Sequence, residues 1–299
     1  MQGLPDHVKG VLVTGAGVLL ISPDTLLVRV IAIDQWSMIF WRGALVALSL
    51  GAFMALRHGR ETPALFRAAG MNGLWVSLFL TAGSILFIVA LAHTSVANTL
   101  IIVSAAPLFA ALFSRVFLAE PVSTRTWAAI LGAMAGIAVV VSGSAGGSAG
   151  GSGLPSSLWG DLAALATAVC MAAGLTLIRR TRARGVFPAL ALSGLLSALI
   201  ALPLAAPFAL DATQAGLMAL LGLVVLPVSA VLILLGPRYL PAPEVGLILL
   251  LETVLGPYWV WLALGEDPSA RALLGGAIVI GVLVLHSALA LRGERRPAG

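Results

Sequence analysis

Charge is what this 299-residue sequence has least of: Asp, Glu, Lys and Arg together make up 10% of it, against about 25% in an ordinary soluble domain. So few charges cannot build a water-facing surface, which excludes a soluble globular domain and leaves lipid as the solvent for most of the chain. Cysteine is nearly absent too. The lone Cys170 lies in an apolar stretch, reads as a small buried residue and excludes an intrachain disulfide. Long polar segments are missing, which argues against an extramembrane domain. The first apolar run, 10–30, is too long for a signal-peptide core and reads as a retained helix. There is no His-Glu-x-x-His, P-loop or paired-cysteine motif, so those enzyme signatures are lacking. The four histidines, His7, His58, His93 and His286, are far apart near the ends of apolar windows. That spacing argues against a metal site, and no cofactor is implied.

What is present is apolar length. Hydrophobic residues make up 60% of the chain, and its mean hydropathy is +1.07. One crossing takes about 20 mostly apolar residues. Windows bounded by charge, Pro or Gly fall at 10–31, 36–56, 69–91, 95–117, 124–142, 158–178, 187–206, 214–236, 243–264 and 271–291. Only helices and closed barrels satisfy every backbone group in hydrocarbon, and continuous runs without alternation exclude the barrel. The expectation is an all-α polytopic membrane protein with ten transmembrane helices, placed in the cell (inner) membrane.

A pI near 10.6 would suit nucleic acid, but the Arg residues lie in short loops between apolar windows, a pattern that sets topology instead. With the N-terminus in the cytoplasm, 14 of the 17 Lys and Arg residues fall inside. Arg29 and Arg271 fall outside, and Arg42 lies within the second window. Both termini are then expected to be cytoplasmic.

A Gly/Ser run over 142–153 splits the chain, giving a first unit 1–142, a linker 143–157 and a second unit 158–299. The two units share a motif. Phe117-Leu118-Ala119-Glu120-Pro121-Val122-Ser123, followed by Arg125, matches Ala263-Leu264-Gly265-Glu266-Asp267-Pro268-Ser269, followed by Arg271, at a constant offset of 146 residues. An odd number of spans in each unit inserts the second upside down, so the expectation is two inverted five-helix repeats, the architecture of alternating-access carriers.

Charge within an apolar window costs about 2.5–3.5 kcal/mol at the midplane, so Asp24, Arg42, Glu244 and Glu252 stand out. Glu244 and Glu252 share a broad helix face. They read either as cavity groups and proton carriers or as interhelical hydrogen-bonding groups. Pro removes an amide donor and frees a carbonyl, making Pro23, Pro107, Pro227 and Pro257 candidate helix breaks. His93, Asn98 and Thr99 bring polar groups to the start of the fourth window, and Trp41, Phe79, Phe87 and Tyr258 are candidate aromatic walls of a substrate path. No Lys or Arg cluster lies mid-window, which argues against a phosphorylated substrate and favours an uncharged or zwitterionic one.

Phe40-Trp41-Arg42 early in the second window, the Glu120 and Glu266 motifs, and Leu249-Leu250-Leu251-Glu252-Thr253 together resemble the drug/metabolite transporter superfamily of EamA type. Thr253 stands where that family usually has Pro. The likeness is nearest to YddG-type exporters of aromatic and other neutral amino acids. It implies a central cavity and export of a small-molecule substrate through the lipid bilayer by alternating access. It also implies a structural tie for Arg42. Multidrug or other metabolite efflux is the variant reading, and an intramembrane enzyme or a non-transporting receptor would be of a different class.

Overall fold

The computed structural model describes residues 5–93, 99, 102–144, 158–181, 185–206, 210–264 and 270–294. Asn98, most of the Gly/Ser linker and Glu266 with its flanking motif lie outside them. The described residues form α1 (Asp6–Ile21), α2 (Asp24–Ile31), α3 (Gln35–His58), α4 (Thr62–His93), α5 (Ala106–Phe117), α6 (Thr124–Ser144), α7 (Leu158–Arg180), α8 (Val186–Ala201), α9 (Ala212–Leu220), α10 (Leu226–Leu235), α11 (Ala242–Leu249), α12 (Leu251–Leu264) and α13 (Ala270–Glu294).

The chain is an all-α, multi-pass membrane protein, but it does not carry the expected ten spans in two inverted five-helix repeats. Among the described residues, four helical stretches are long and apolar enough to cross a membrane: Asp6–Val28, Gln35–His93, Leu158–Arg180 and Ala212–Arg238. Ala106–Phe117, Val186–Ala201 and Leu274–His286 are shorter apolar helices. Hydropathy reports where the chain is apolar and not where helical hydrogen bonding stops, and that difference overturns the count. The windows at 36–56 and 69–91 run together in one 59-residue stretch. That stretch turns through a 3₁₀ segment at Gly59–Glu61 and kinks at Gly70 (φ 56°, ψ −156°), a backbone conformation that favours glycine. The window at 243–264 divides into α11 of eight residues and α12 of 14.

The Pro positions explain some of these interruptions. α1 stops where the Ser22 amide bonds to the Val18 carbonyl at 2.9 Å. Pro23 then offers no amide, and α2 starts at Asp24. Pro107 sits in the first turn of α5, where a missing N–H costs nothing. Pro227 likewise opens α10, directly after a π-helical segment at Leu221–Val225. α12, in contrast, runs through Pro257 without interruption, and the break lies seven residues earlier, at Leu250.

Packing is between small residues. α3 lies against α8, α4 against α7, α6 against α13 and α1 against α10. In hydrocarbon, helices gain nothing from excluding apolar surface from water, so close backbone approach supplies the attraction. At the α3–α8 crossing, a Cβ on Gly43 would stand 2.5 Å from the Gly194 carbonyl oxygen, and one on Gly194 would stand 2.7 Å from that of Gly43. Ala110, Ala164, Ala168 and Ala172 are fully buried between helices. Larger apolar side chains such as Ile31, Met54 and Ile130 fill the remaining interior, while many others point outward, with Leu56 89% and Leu158 74% exposed, as a lipid-facing surface requires.

Candidate functional site: two polar clusters along one helix pair

The first cluster forms where two interrupted segments meet. Asp24 stands in the first turn of α2, just past the Pro23 break, and Glu252 stands in the first turn of α12, just past the Leu250 break. A helix N-terminus carries partial positive charge from its unpaired amides, which suits a carboxylate. Arg42 of α3 reaches Asp24 with both terminal guanidinium nitrogens. Nη1 donates to Oδ1, and Nη2 donates to Oδ2 at 3.0 Å. The planar fork matches the carboxylate geometry, as an ammonium would not. Asp24 is buried and Arg42 is largely covered, so losing either partner strands a charge at a cost of up to about 3–5 kcal/mol.

Glu252 lies within electrostatic reach of both Asp24 and Arg42 and keeps part of its surface accessible. A third link closes the group: the Trp259 indole Nε1 donates to Ser22 Oγ at 2.6 Å, and that hydroxyl in turn donates to the Leu19 carbonyl at 2.8 Å. The break after α1 is therefore pinned to α12 through Trp259 and to α3 through Arg42. The cluster thus holds two carboxyl groups and one guanidinium, with the Asp24–Arg42 tie complete and the Glu252 carboxyl outside it.

The second cluster lies at the other end of the same helices. Glu244, in the first turn of α11, is 8% exposed, and its Oε2 is 3.1 Å from His7 Nε2 at the start of α1. Its Oε1 is 3.6 Å from His286 Nε2 on α13. His7 and His286 are buried, with Nδ1 of each and Nε2 of His286 making no hydrogen bond. Among the described residues, no group of His, Cys, Asp and Glu is arranged to hold a metal ion.

The two clusters are in register. His7–Glu244 and Ser22–Trp259 are both separated by 237 residues, so α1 and the α11–α12 segment run side by side in the same direction.

Other singled-out residues lie elsewhere. Trp41 packs edge-on against Phe40, with ring centroids 5.4 Å apart. Phe79 lies beside Trp75. Phe87 joins Ile39, Ile88 and Ala201 in an apolar cluster. Tyr258 is 45% exposed and stacks edge-on with Trp259. His93 is exposed, with Nδ1 2.9 Å from the Val89 carbonyl. Thr99 is buried. The structure thus brings Asp24, Arg42 and Glu252 together and sets Glu244 apart with two histidines. Sequence reading separated His7 from His286. No spacing signal links residues 237 apart.

A bundle of apolar helices holding charged groups at helix breaks defines a class, the multi-pass membrane carriers. The profile of the EamA-like transporter family matches residues 8–142 and 158–288, and the chain belongs to that family. Its members are transporters and not enzymes. No curated protein matches the chain. Twenty-eight solved chains do. One of them, a crystal structure, is 20% identical with a TM-score of 0.79, covering 96% of this chain and 99% of its own. At that identity the likeness shows the fold alone.

Proposed function

We propose that this transporter exports small zwitterionic metabolites, with neutral and aromatic amino acids as the substrate class, by exposing the Asp24–Arg42–Glu252 cluster to one side of the membrane and then the other. The observation that carries this reading is the meeting of two half-helix N-termini, α2 and α12, around three charged side chains. Half-helix N-termini in carriers attract an anionic substrate group, and Glu252 is placed to accept an ammonium. Charges of both signs within a few ångströms suit a zwitterion better than a phosphate, which needs several cations. The end of the molecule that carries Lys9, Arg115, Arg179, Arg180 and Arg238 is assigned to the cytoplasm on the positive-inside rule.

Counterflow in proteoliposomes, with a panel of neutral and aromatic amino acids, tests the proposal. Labelled substrate accumulates against an internal excess, and Glu252→Gln abolishes accumulation while the protein remains folded. If no amino acid on the panel is carried while cationic dyes are, the reading is overturned in favour of multidrug efflux.

A further inference from the structure

We propose that the His7–Glu244–His286 cluster is a proton-binding site whose occupancy closes the basic end of the transport path. This deepens the carrier reading and rests on it. The carboxylate of Glu244 is withdrawn from water, with one oxygen facing each imidazole. Neutral imidazole carries a single N–H, whereas imidazolium carries two and a full charge. One proton on the His pair therefore neutralises the buried carboxylate. Losing it leaves an uncompensated charge in a dry site, which favours separating the helices and letting water in. Closure takes up a proton, so acid holds this end shut and alkali releases it.

The surroundings isolate that chemistry. Asp6 and Lys9 on α1 pair with each other at 3.0 Å. Arg179 of α7 is occupied by Glu120 at 3.2 Å and by the Pro237 carbonyl at 3.1 Å. Arg238, in the turn before α11, lies over the Tyr239 ring. Arg115 on α5, Arg125 on α6 and Glu252 on α12 belong to elements packed against α11. Yet among the described residues, the ion-pair contacts of Glu244 are with His7 and His286. The three residues also come from three separate elements, α1, α11 and α13, so the bonds that tie them are bonds between helices. Leu240 lies at the same end. It is fully buried, and Gly10 of α1 packs so closely that an added Cβ would stand 2.5 Å from it.

Thiol labelling of Leu240→Cys in a Cys170→Ala background reads opening directly. The purified full chain in liposomes is used, with rates normalised at each pH to the exposed Glu61→Cys. Labelling is measured from about pH 5 to 8, and the normalised rate rises with pH by up to about tenfold per unit for one linked proton. His7→Asn with His286→Gln flattens the profile, as does Glu244→Gln with both histidines kept. A flat profile in the background protein overturns the proposal, and so does a slope that survives in Glu244→Gln. If the double histidine variant does not fold, those two measurements still decide. Labelling needs no substrate, so a failed counterflow panel leaves this inference standing, and a flat labelling profile leaves the substrate reading standing.

Discussion

Both polar clusters set a carboxylate against a nitrogen base, Arg in one and His in the other, and they differ in how fully their hydrogen bonds are satisfied. Asp24 accepts two parallel donations from Arg42, one on each carboxylate oxygen, a charge-assisted geometry. Around Glu244 the bonds are incomplete. One contact is at hydrogen-bond distance, a second lies just beyond it at 3.6 Å, and buried imidazole nitrogens go unpaired. The difference separates a permanent tie from one that changes with its protons. Arg keeps its charge at any pH the protein meets, whereas His changes charge between about pH 5 and 8.

Breaking the permanent tie has the largest expected effect. Asp24→Ala or Arg42→Ala lowers stability by about 3–5 kcal/mol, read as a loss of detergent-extracted monodisperse protein or of melting temperature. Arg42→Lys keeps the charge without the fork and recovers only part of it. Replacing both members, with Asp24→Asn and Arg42→Gln, costs less than the sum of the single losses. A sum equal to the two singles would show that the pair does not act as a unit.

Next in size is a test of whether packing, independent of either cluster, carries the bundle. Gly194→Ala forces its Cβ against the Gly43 carbonyl at the α3–α8 crossing and costs about 1–3 kcal/mol by overpacking, with the labelling profile of Leu240→Cys unchanged in its pH midpoint. Trp259→Phe then removes the donor to Ser22 and costs about 0.5–1.5 kcal/mol, measured by thermal unfolding.

The smallest expected effect lies outside both clusters, at the exposed Asp34, which caps α3 by accepting from the Trp36 and Ser37 amides at 3.0 and 2.9 Å. Burial pushes its pKa up, but the Ser37 and Trp36 bonds outweigh that, and the net shift is down from 3.8. The capping contribution is therefore present above the ordinary carboxylate pKa and is lost as pH falls through the lowered value. Asp34→Ala removes about 1 kcal/mol at neutral pH and nothing at strongly acidic pH. Melting curves of the two proteins should converge in acid.

Asp24, Arg42 and Glu252 are legible in the sequence because an ionisable residue in an apolar window is rare on its own terms. Their mutual contacts are not, since nothing in a hydropathy trace says which windows face each other. Pro23 marks the first break chemically, as it lacks a donor. The Leu250 break carries no such marker, and the Pro257 that invites one seven residues later is absorbed within α12. The histidines failed to register for a related reason: His7 and His286 flank apolar windows, where an exposed interfacial role is the ordinary one, and only tertiary packing turns both onto Glu244. The expected ten-span count foundered on continuity of the backbone, which apolar composition leaves unspecified.

The equal spacing of the His7–Glu244 and Ser22–Trp259 bonds constrains how the molecule can move. Each helix advances 15 residues between the two bonds, about 22 Å at 1.5 Å per residue, so they are rungs of a ladder whose side rails have equal length. Sliding one rail along the other shears both rungs at once, whereas swinging the rails apart breaks only one. With the indole-to-hydroxyl rung intact, loss of the imidazole rung turns α1 into a lever whose fulcrum sits at Ser22, beside the charged groups proposed to receive the cargo.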